Sequence, residues 1–203
     1  MTFTFALTVL ASATPMGDFF KSPTTIISSF ILMMVCALVI ICNKDQRRKM
    51  PNGYLWLAGV TFGEAFFLAA VAAKLTVASV VTAIMATCLA TAGLFVASLY
   101  TASSVNRETL IRNMVKGMIV AFFIDIFMLI FILLAFNPKD SAVVFGVSCV
   151  MCLLAGAYIM FALLFIIAPG MEDKDDFILG AMRLYLEIAR LFFWLMQLFG
   201  DKK

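Results

Sequence analysis

Three carboxylates lie within long apolar stretches of the chain, where a charged side chain is costly. They are Glu64, Asp125 and Glu187. A charge at the bilayer centre costs about 2.5–3.5 kcal/mol on insertion scales, so such a residue usually faces protein or a water-filled path. Two kinds of chemistry are open to them. They either form internal ion pairs and hydrogen bonds that fix the helix register, or they line a path for cations or protons.

Glu187 has candidate partners within its own apolar segment. Arg183 lies four residues before it and Arg190 three residues after it. These spacings place all three side chains on one face of a helix. The face is therefore expected to point inward, towards partners or water, with the arginines as charge partners of Glu187. A structural ion pair and a role in an ion path both stay open for this carboxylate.

The other two carboxylates lack such neighbours. The only basic residue near Glu64 in its segment is Lys74, more than two helical turns away, which favours a functional role or a distant partner. For Asp125 two interpretations are open. It is either buried and protonated, or paired across the bundle with one of the arginines.

Composition defines the class of protein. The 203 residues are 64% hydrophobic and 13% charged, with a mean hydropathy of +1.08. A soluble core could not absorb so much apolar surface, so we predict one all-α integral membrane domain over residues 1–203. Because histidine is absent and the carboxylates within the apolar stretches are not paired in sequence, we expect no enzyme activity and no cofactor. The net charge of +3 gives no indication of nucleic-acid binding, and none is expected.

The five cysteines lie within or at the edge of apolar runs, and are interpreted as small core residues, although Cys149 and Cys152 have redox spacing. Six apolar stretches are long enough to span a bilayer. They lie at about 24–42, 54–73, 77–99, 117–136, 141–168 and 177–199. Residues 1–13 are apolar but short of the ~20 residues that a helical span needs. They are either a signal peptide or the second half of a first transmembrane helix.

The connections between these stretches predict the orientation. Residues 43–53 and 100–116 are rich in lysine and arginine, which places them in the cytosol. Residues 74–76 and 137–140 then lie on the opposite side, and the acidic connection 169–176 is cytosolic. The two C-terminal lysines lie opposite the cytosol if the last segment spans, and in the cytosol if it re-enters.

Small residues indicate where helices approach closely. Two rows with a four-residue period run along 77–99, and they consist of Ala78, Thr82, Ala86 and Ala90 and of Ser79, Ala83, Thr87 and Thr91. This pattern predicts that the helix lies at the centre of the bundle. Gly59 and Gly63 predict a close contact in the preceding span. The bulky stretch 117–136 is predicted to be peripheral.

The segment from Asp176 to Lys203 resembles the C-terminal signature of the transmembrane Bax inhibitor motif family, and most closely its Lifeguard branch. The matching residues are Asp176, Phe177, Ile178, Gly180, Ala181, Leu184, Tyr185, Glu187, Ile188, Leu198, Gly200, Asp201 and Lys202. Residues 61–91 also resemble the third and fourth helices of the family, where some Lifeguard members carry an acid at the place of Glu64. On this mapping, residues 1–13 are the tail of the first helix and the chain is a shortened or N-terminally truncated member.

The resemblance implies a bundle of six helices around a central, polar last helix, here six full spans and a partial first one. It also implies proton-modulated calcium leak across an endomembrane such as the endoplasmic reticulum or Golgi, with suppression of cell death as the outcome. In the family, an acid pair between the sixth and seventh helices acts as a latch. Glu187 matches the acid of the last helix, whereas Leu164 or Ile159 occupies the place of its partner.

Two classes of function follow. The first is a calcium leak channel in which Glu64 and Glu187 face a water-filled cavity. The second is a non-conducting scaffold that binds partner proteins and whose charges are structural. The expected partners are the lipid bilayer, Ca²⁺ and membrane proteins that regulate cell death.

Overall fold

The computed structural model describes residues 1–14, 17–20, 22–43, 45, 49, 51–104, 141–167 and 177–201. All regular elements in these ranges are helices. In chain order they are α1 (Thr2–Ala13), α2 (Gly17–Phe20), α3 (Pro23–Cys42), α4 (Asn52–Ala72), α5 (Val77–Ser104), α6 (Ser141–Ile167) and α7 (Phe177–Leu198).

Four helices among the described residues are long and apolar enough to cross a membrane. These segments are Pro23–Cys42, Asn52–Ala72, Val77–Thr101 and Phe145–Leu164, and they confirm four of the six predicted full spans. The predicted span 117–136, with Asp125, lies outside the described residues. Helix α7 is long enough, but its three charged side chains keep it outside this set, and α1 is apolar but shorter. An all-helical membrane protein is therefore confirmed, whereas the predicted number of spans is not.

Helix α4 is the element that unites the described core. The buried apolar residues form three clusters, and α4 contributes to each: Leu68 to the first, Ala69 to the second and Val60 to the third. Helix α7 contributes to two of them, through Phe192 and Met182. The interior of the described bundle is thus organised around α4 and α7.

Helices α4 and α7 run side by side in the same direction. At one end the rings of Tyr54 and Phe177 lie 5.9 Å apart. Further along, the rings of Phe67 and Phe193 are 6.1 Å apart. A re-entrant segment would return to the end at which it began, whereas α7 follows α4 over its length. The last helix therefore ends on the side of the α4–α5 connection, the alternative expected for a spanning segment.

The far end of α7 is tied to that connection. The Thr76 amide donates to the Asp201 carbonyl oxygen at 3.0 Å, and the Asp201 amide donates to Ser79 Oγ at 3.1 Å. The hydroxyls of Thr76 and Ser79 lie 2.9 Å apart. Gly200 packs against Leu75 so closely that an added Cβ would lie 2.9 Å from Leu75 Cδ2. We call this set of contacts the C-terminal junction.

The predicted close contact at Gly59 and Gly63 is confirmed. A Cβ built on Gly63 would lie 2.9 Å from both the Ser29 carbonyl oxygen and the Met33 amide nitrogen of α3, and one on Gly59 would lie 2.6 Å from Cys36 Sγ. Only the absence of a side chain lets the two backbones approach this closely.

The prediction that 77–99 forms the centre of the bundle is wrong for the described residues. One of its small rows is buried, as at Ser79, Ala83 and Thr87, but Ala78 and Thr82 of the other row are exposed. Small residues permit close approach without requiring it on both faces. The threonine hydroxyls bond to carbonyls of their own helix, as Thr82 does to Ala78 at 2.9 Å, so they need no second helix as a partner.

Candidate functional site

Glu64 lies near the middle of α4 and is only 8% exposed. Helical side chains lean towards the N-terminal end of their helix, so its carboxyl group lies over the turn that contains Thr61. Tyr185 reaches the same turn from α7, where its hydroxyl bonds to the Thr61 backbone. The structure thus gives Glu64 a polar neighbour that lies 121 positions away in the sequence.

The Tyr185 hydroxyl joins three helices. It donates to the Thr61 carbonyl oxygen of α4 at 3.3 Å and lies 3.0 Å from Thr4 Oγ1 of α1. A phenol has one hydrogen, so Thr4 is the donor to Tyr185 while Tyr185 donates to Thr61. Thr4, Thr61, Glu64 and Tyr185 form the polar cluster of the described bundle.

Helix α1 places its hydroxyls inside and part of its apolar surface outside. Thr4, Thr8 and Ser12 repeat every four residues and are at most 1% exposed, whereas Phe3 and Leu10 are 44% and 45% exposed. We call these three residues the hydroxyl row. A polar inner face on an apolar helix is typical of a membrane protein with a polar interior. The four-residue spacing of these hydroxyls is visible in the sequence, within a stretch that is otherwise apolar.

Glu187 and its neighbours lie where α7 meets α6. Arg190 Nη1 is 3.8 Å from Glu187 Oε2, which is an ion-pair distance beyond ordinary hydrogen-bond length. The Arg190 guanidinium also lies over the Tyr158 ring of α6, 5.3 Å from its centroid, in cation–π geometry. Glu187 and Arg190 are 24% and 29% exposed. The predicted pairing of these two residues is confirmed.

Of the three residues on the charged face, which was predicted to point inward towards partners or water, Arg183 is exposed and Glu187 and Arg190 are half-buried. The three charges do share a face of α7, but this face lies at the margin of the contact with α6. The buried face, which carries Met182, Ala189 and Phe192, turns the other way. A three- and four-residue spacing fixes which side chains share a face, and tertiary packing decides where that face points.

Glu64 and Glu187 lie on different sides of α7. Tyr185, which contacts the turn before Glu64, is two residues from Glu187, and two residues correspond to about 200° around a helix. The structure therefore brings Glu64 together with Tyr185 and Glu187 together with Arg190, but it does not bring the two acids together. Both predicted positions for a latch partner, Ile159 and Leu164, are buried, and Ile159 lies in the apolar cluster with Phe192.

The polar cluster presents oxygen atoms only: a carboxylate, two hydroxyls and a backbone carbonyl. Oxygen is the ligand that hard cations such as Ca²⁺ prefer, but a tight Ca²⁺ site has about six to eight oxygens and usually several carboxylates. Among the described residues, no group of three or more histidine, cysteine or acidic side chains is placed to hold a metal ion. One carboxylate with neutral oxygens suits brief contact with a passing cation rather than storage.

These features define a helical membrane protein with a polar interior between its first, fourth and last helices. The sequence model of the family described as "Inhibitor of apoptosis-promoting Bax1" matches residues 1–203, the whole chain. The protein belongs to this Bax inhibitor family, which confirms the resemblance seen in the C-terminal segment. No curated protein and no solved structure matches the sequence.

Proposed function

We propose that the protein is a calcium leak pathway of an endomembrane, the endoplasmic reticulum or the Golgi, and that its physiological outcome is the suppression of cell death. The observation that carries the proposal is the burial of Glu64 in the interior of the bundle, one turn from the Thr61 carbonyl that accepts the Tyr185 hydroxyl. Membership of the Bax inhibitor family supports the same conclusion.

A carboxylate at this depth is costly unless it has a compensating partner. Among the described residues no lysine or arginine forms an ion pair with Glu64; its polar surroundings are the Tyr185 phenol and the turn at Thr61. A group that only fixes helix register would be cheaper as an uncharged side chain. A carboxyl group next to hydroxyl and carbonyl oxygens fits a role in receiving a cation in the bilayer interior.

Glu187 fits a different role. Its contact with Arg190, and the stacking of Arg190 on Tyr158, join α7 to α6 as a structural charge network. We therefore assign ion conduction to Glu64 and packing to Glu187, instead of assigning both acids to one cavity. Asp125 remains a candidate from sequence alone.

The test is calcium flux into liposomes that contain the purified protein. The wild type should give flux above protein-free liposomes. Glu64→Gln keeps the shape of the side chain but removes its charge, and it should abolish most of the flux while the protein stays folded and monodisperse. Thr82→Val is the matched control, since Thr82 is exposed on α5 and bonds only to its own helix, and its flux should equal that of the wild type.

The second candidate function is a scaffold that binds membrane proteins regulating cell death, with no conduction and no enzyme activity. The Glu187–Arg190–Tyr158 network favours it, because structural charges are what a scaffold requires. The same assay separates the two, since a scaffold gives no flux in any variant, wild type included. Flux that is unchanged in Glu64→Gln would refute the conduction mechanism even in a channel.

A further inference from the structure

We propose that the cation path runs along the interface between α1 and the α4–α7 pair, and that the Tyr185 hydroxyl is its gate. This inference rests on the proposed function and adds to it the lining, the closing residue and the helix that moves. It excludes the interface between α6 and α7, where Glu187 lies, from the path.

The first observation is the position of the Tyr185 hydroxyl. It contacts Thr4 of α1 at 3.0 Å and Thr61 of α4 at 3.3 Å, so a single group closes the space between all three helices. Glu64 lies one turn beyond Thr61 on the same face of α4. A cation that approached Glu64 from α1 would have to separate Tyr185 from Thr4. Tyr185 therefore controls access to the carboxylate.

The second observation is that two hydroxyls of the hydroxyl row donate to carbonyls of their own helix. Thr8 Oγ1 donates to the Phe5 carbonyl and Ser12 Oγ to the Val9 carbonyl, each at 2.9 Å and within α1. The bond of Thr8 persists when the helix shifts, and its oxygen keeps a lone pair for water or a cation. Between the side chains of α1 and α7, the bond from Thr4 to Tyr185 is the one that opening must break.

The third observation is that aromatic contacts hold α1 in place beside the gate. The ring centroids of Phe3 and Phe62 are 5.0 Å apart, as are those of Phe5 and Phe192. These contacts tie α1 to α4 and to α7. A small shift at Thr4 can thus open the polar cluster while α1 stays attached.

Charge separates this interface from the other side of α7. There Arg183 and Arg190 share the face of α7 with Glu187, and Arg190 lies at ion-pair distance from it. The interface with α1 holds a carboxylate and hydroxyls, and among its described residues it holds no basic side chain. The electrostatics favour the α1 side for a positive ion.

The experiment compares Tyr185→Phe and Thr4→Val, which break the gate from its two sides, with Tyr158→Phe as the control on α6. Loss of one hydrogen bond from the closed state should raise calcium flux severalfold, up to about tenfold. Tyr158→Phe should leave flux at the wild-type level. The double variant Tyr185→Phe, Glu64→Gln should give as little flux as Glu64→Gln alone, because the gate admits ions only to that carboxylate.

A second readout does not depend on flux. In a cysteine-free background, Thr8→Cys should react faster with a membrane-impermeant thiol reagent when Tyr185→Phe is also present. Ala83→Cys, buried on α5, should stay unreactive in both backgrounds. These results would support the path along α1.

The experiments distinguish failure of the proposed gate from failure of the proposed function. Flux that depends on Glu64 but is unchanged in monodisperse Tyr185→Phe and Thr4→Val overturns the gate and leaves the proposed function standing. Absence of flux in every variant, with faster labelling of Thr8→Cys, supports the opening at Tyr185 but overturns calcium conduction. Absence of both effects overturns both proposals.

Discussion

The hydroxyl of Tyr185 lies 3.0 Å from the hydroxyl of Thr4, although 181 positions separate the two residues in the chain. The first and last described helices therefore meet in the interior of the bundle, with α4 beside both. A polar contact of this kind, away from water, has a stricter geometry than apolar packing. It fixes the rotation of α1 and of α7 about their axes, and so decides which side chains of each helix face Glu64.

Gly63→Ala should destabilise the protein, whereas Gly93→Ala should not. The new methyl group at Gly63 would lie 2.9 Å from backbone atoms of Ser29 and Met33, and backbone atoms cannot rotate away as a side chain can. A methyl group added at Gly93 would have nothing within 4 Å. We expect a loss of about 1–3 kcal/mol for the first variant, the usual cost of overpacking. Thermal unfolding in detergent measures both. Equal melting temperatures would contradict the close approach of α3 and α4.

Two substitutions on one helix test the orientation of α5. Ala83 is fully buried in the main apolar cluster, whereas Ala78 is exposed. Ala83→Leu should therefore lower the stability by about 1–3 kcal/mol, since the core there has no room for three more carbon atoms, and Ala78→Leu should leave it nearly unchanged. Unfolding of the two variants in the same detergent gives the comparison. A central position for α5 would make both substitutions harmful.

Cysteine labelling tests the topology. Lys49, Lys74 and Asp201 are all exposed, and they lie before α4, after α4 and after α7. In a cysteine-free background, Lys49→Cys should label from the cytosol, and Lys74→Cys and Asp201→Cys from the opposite face. Labelling of Asp201→Cys from the same side as Lys49→Cys would contradict the parallel course of α4 and α7. If Lys49→Cys and Lys74→Cys instead label from the same side, α4 does not cross the membrane.

Glu187→Gln and Glu64→Gln should fail in different ways. Removing the charge of Glu187 takes away the carboxylate at ion-pair distance from Arg190, and because this contact is long, at 3.8 Å, we expect a loss of stability of about 1 kcal/mol. The calcium flux of Glu187→Gln should fall only in proportion to the loss of folded protein. Glu64→Gln should keep the melting temperature and lose the flux. Flux and stability are measured on the same preparations, and a loss of flux in fully folded Glu187→Gln would return that residue to the ion path.

The sequence predicted best what depends on composition and on local spacing. Apolar length located the helices of 23–42 and 52–72, and the Gly59–Gly63 spacing located a contact that only glycine permits. Glu64 stood out because a lone acid in an apolar segment is rare. Each of these signals is carried by neighbouring residues, so no tertiary information was needed.

The predictions that failed depend on how helices are rotated and which of them are neighbours. Spacing put Arg183, Glu187 and Arg190 on one face, but only packing shows that Tyr185, on the other side of α7, reaches Glu64. The small rows of α5 look alike in sequence, yet one is buried and the other exposed. The hydroxyl row of α1 was not predicted. Threonine and serine cost little free energy in an apolar helix, so they do not stand out in an apolar run as a charged residue does.

The C-terminal junction also constrains how the protein is made. The residues that close the turn between α4 and α5, Gly200 and Asp201, leave the ribosome only after α5, α6 and α7 have done so. Until they do, Glu64 lies in the membrane without Tyr185 beside it. Helix α1 likewise lacks the helix that holds it in place. Maturation therefore cannot be completed one helix at a time, and a nascent chain that stalls before α7 would present its polar interior to the quality-control machinery of the membrane.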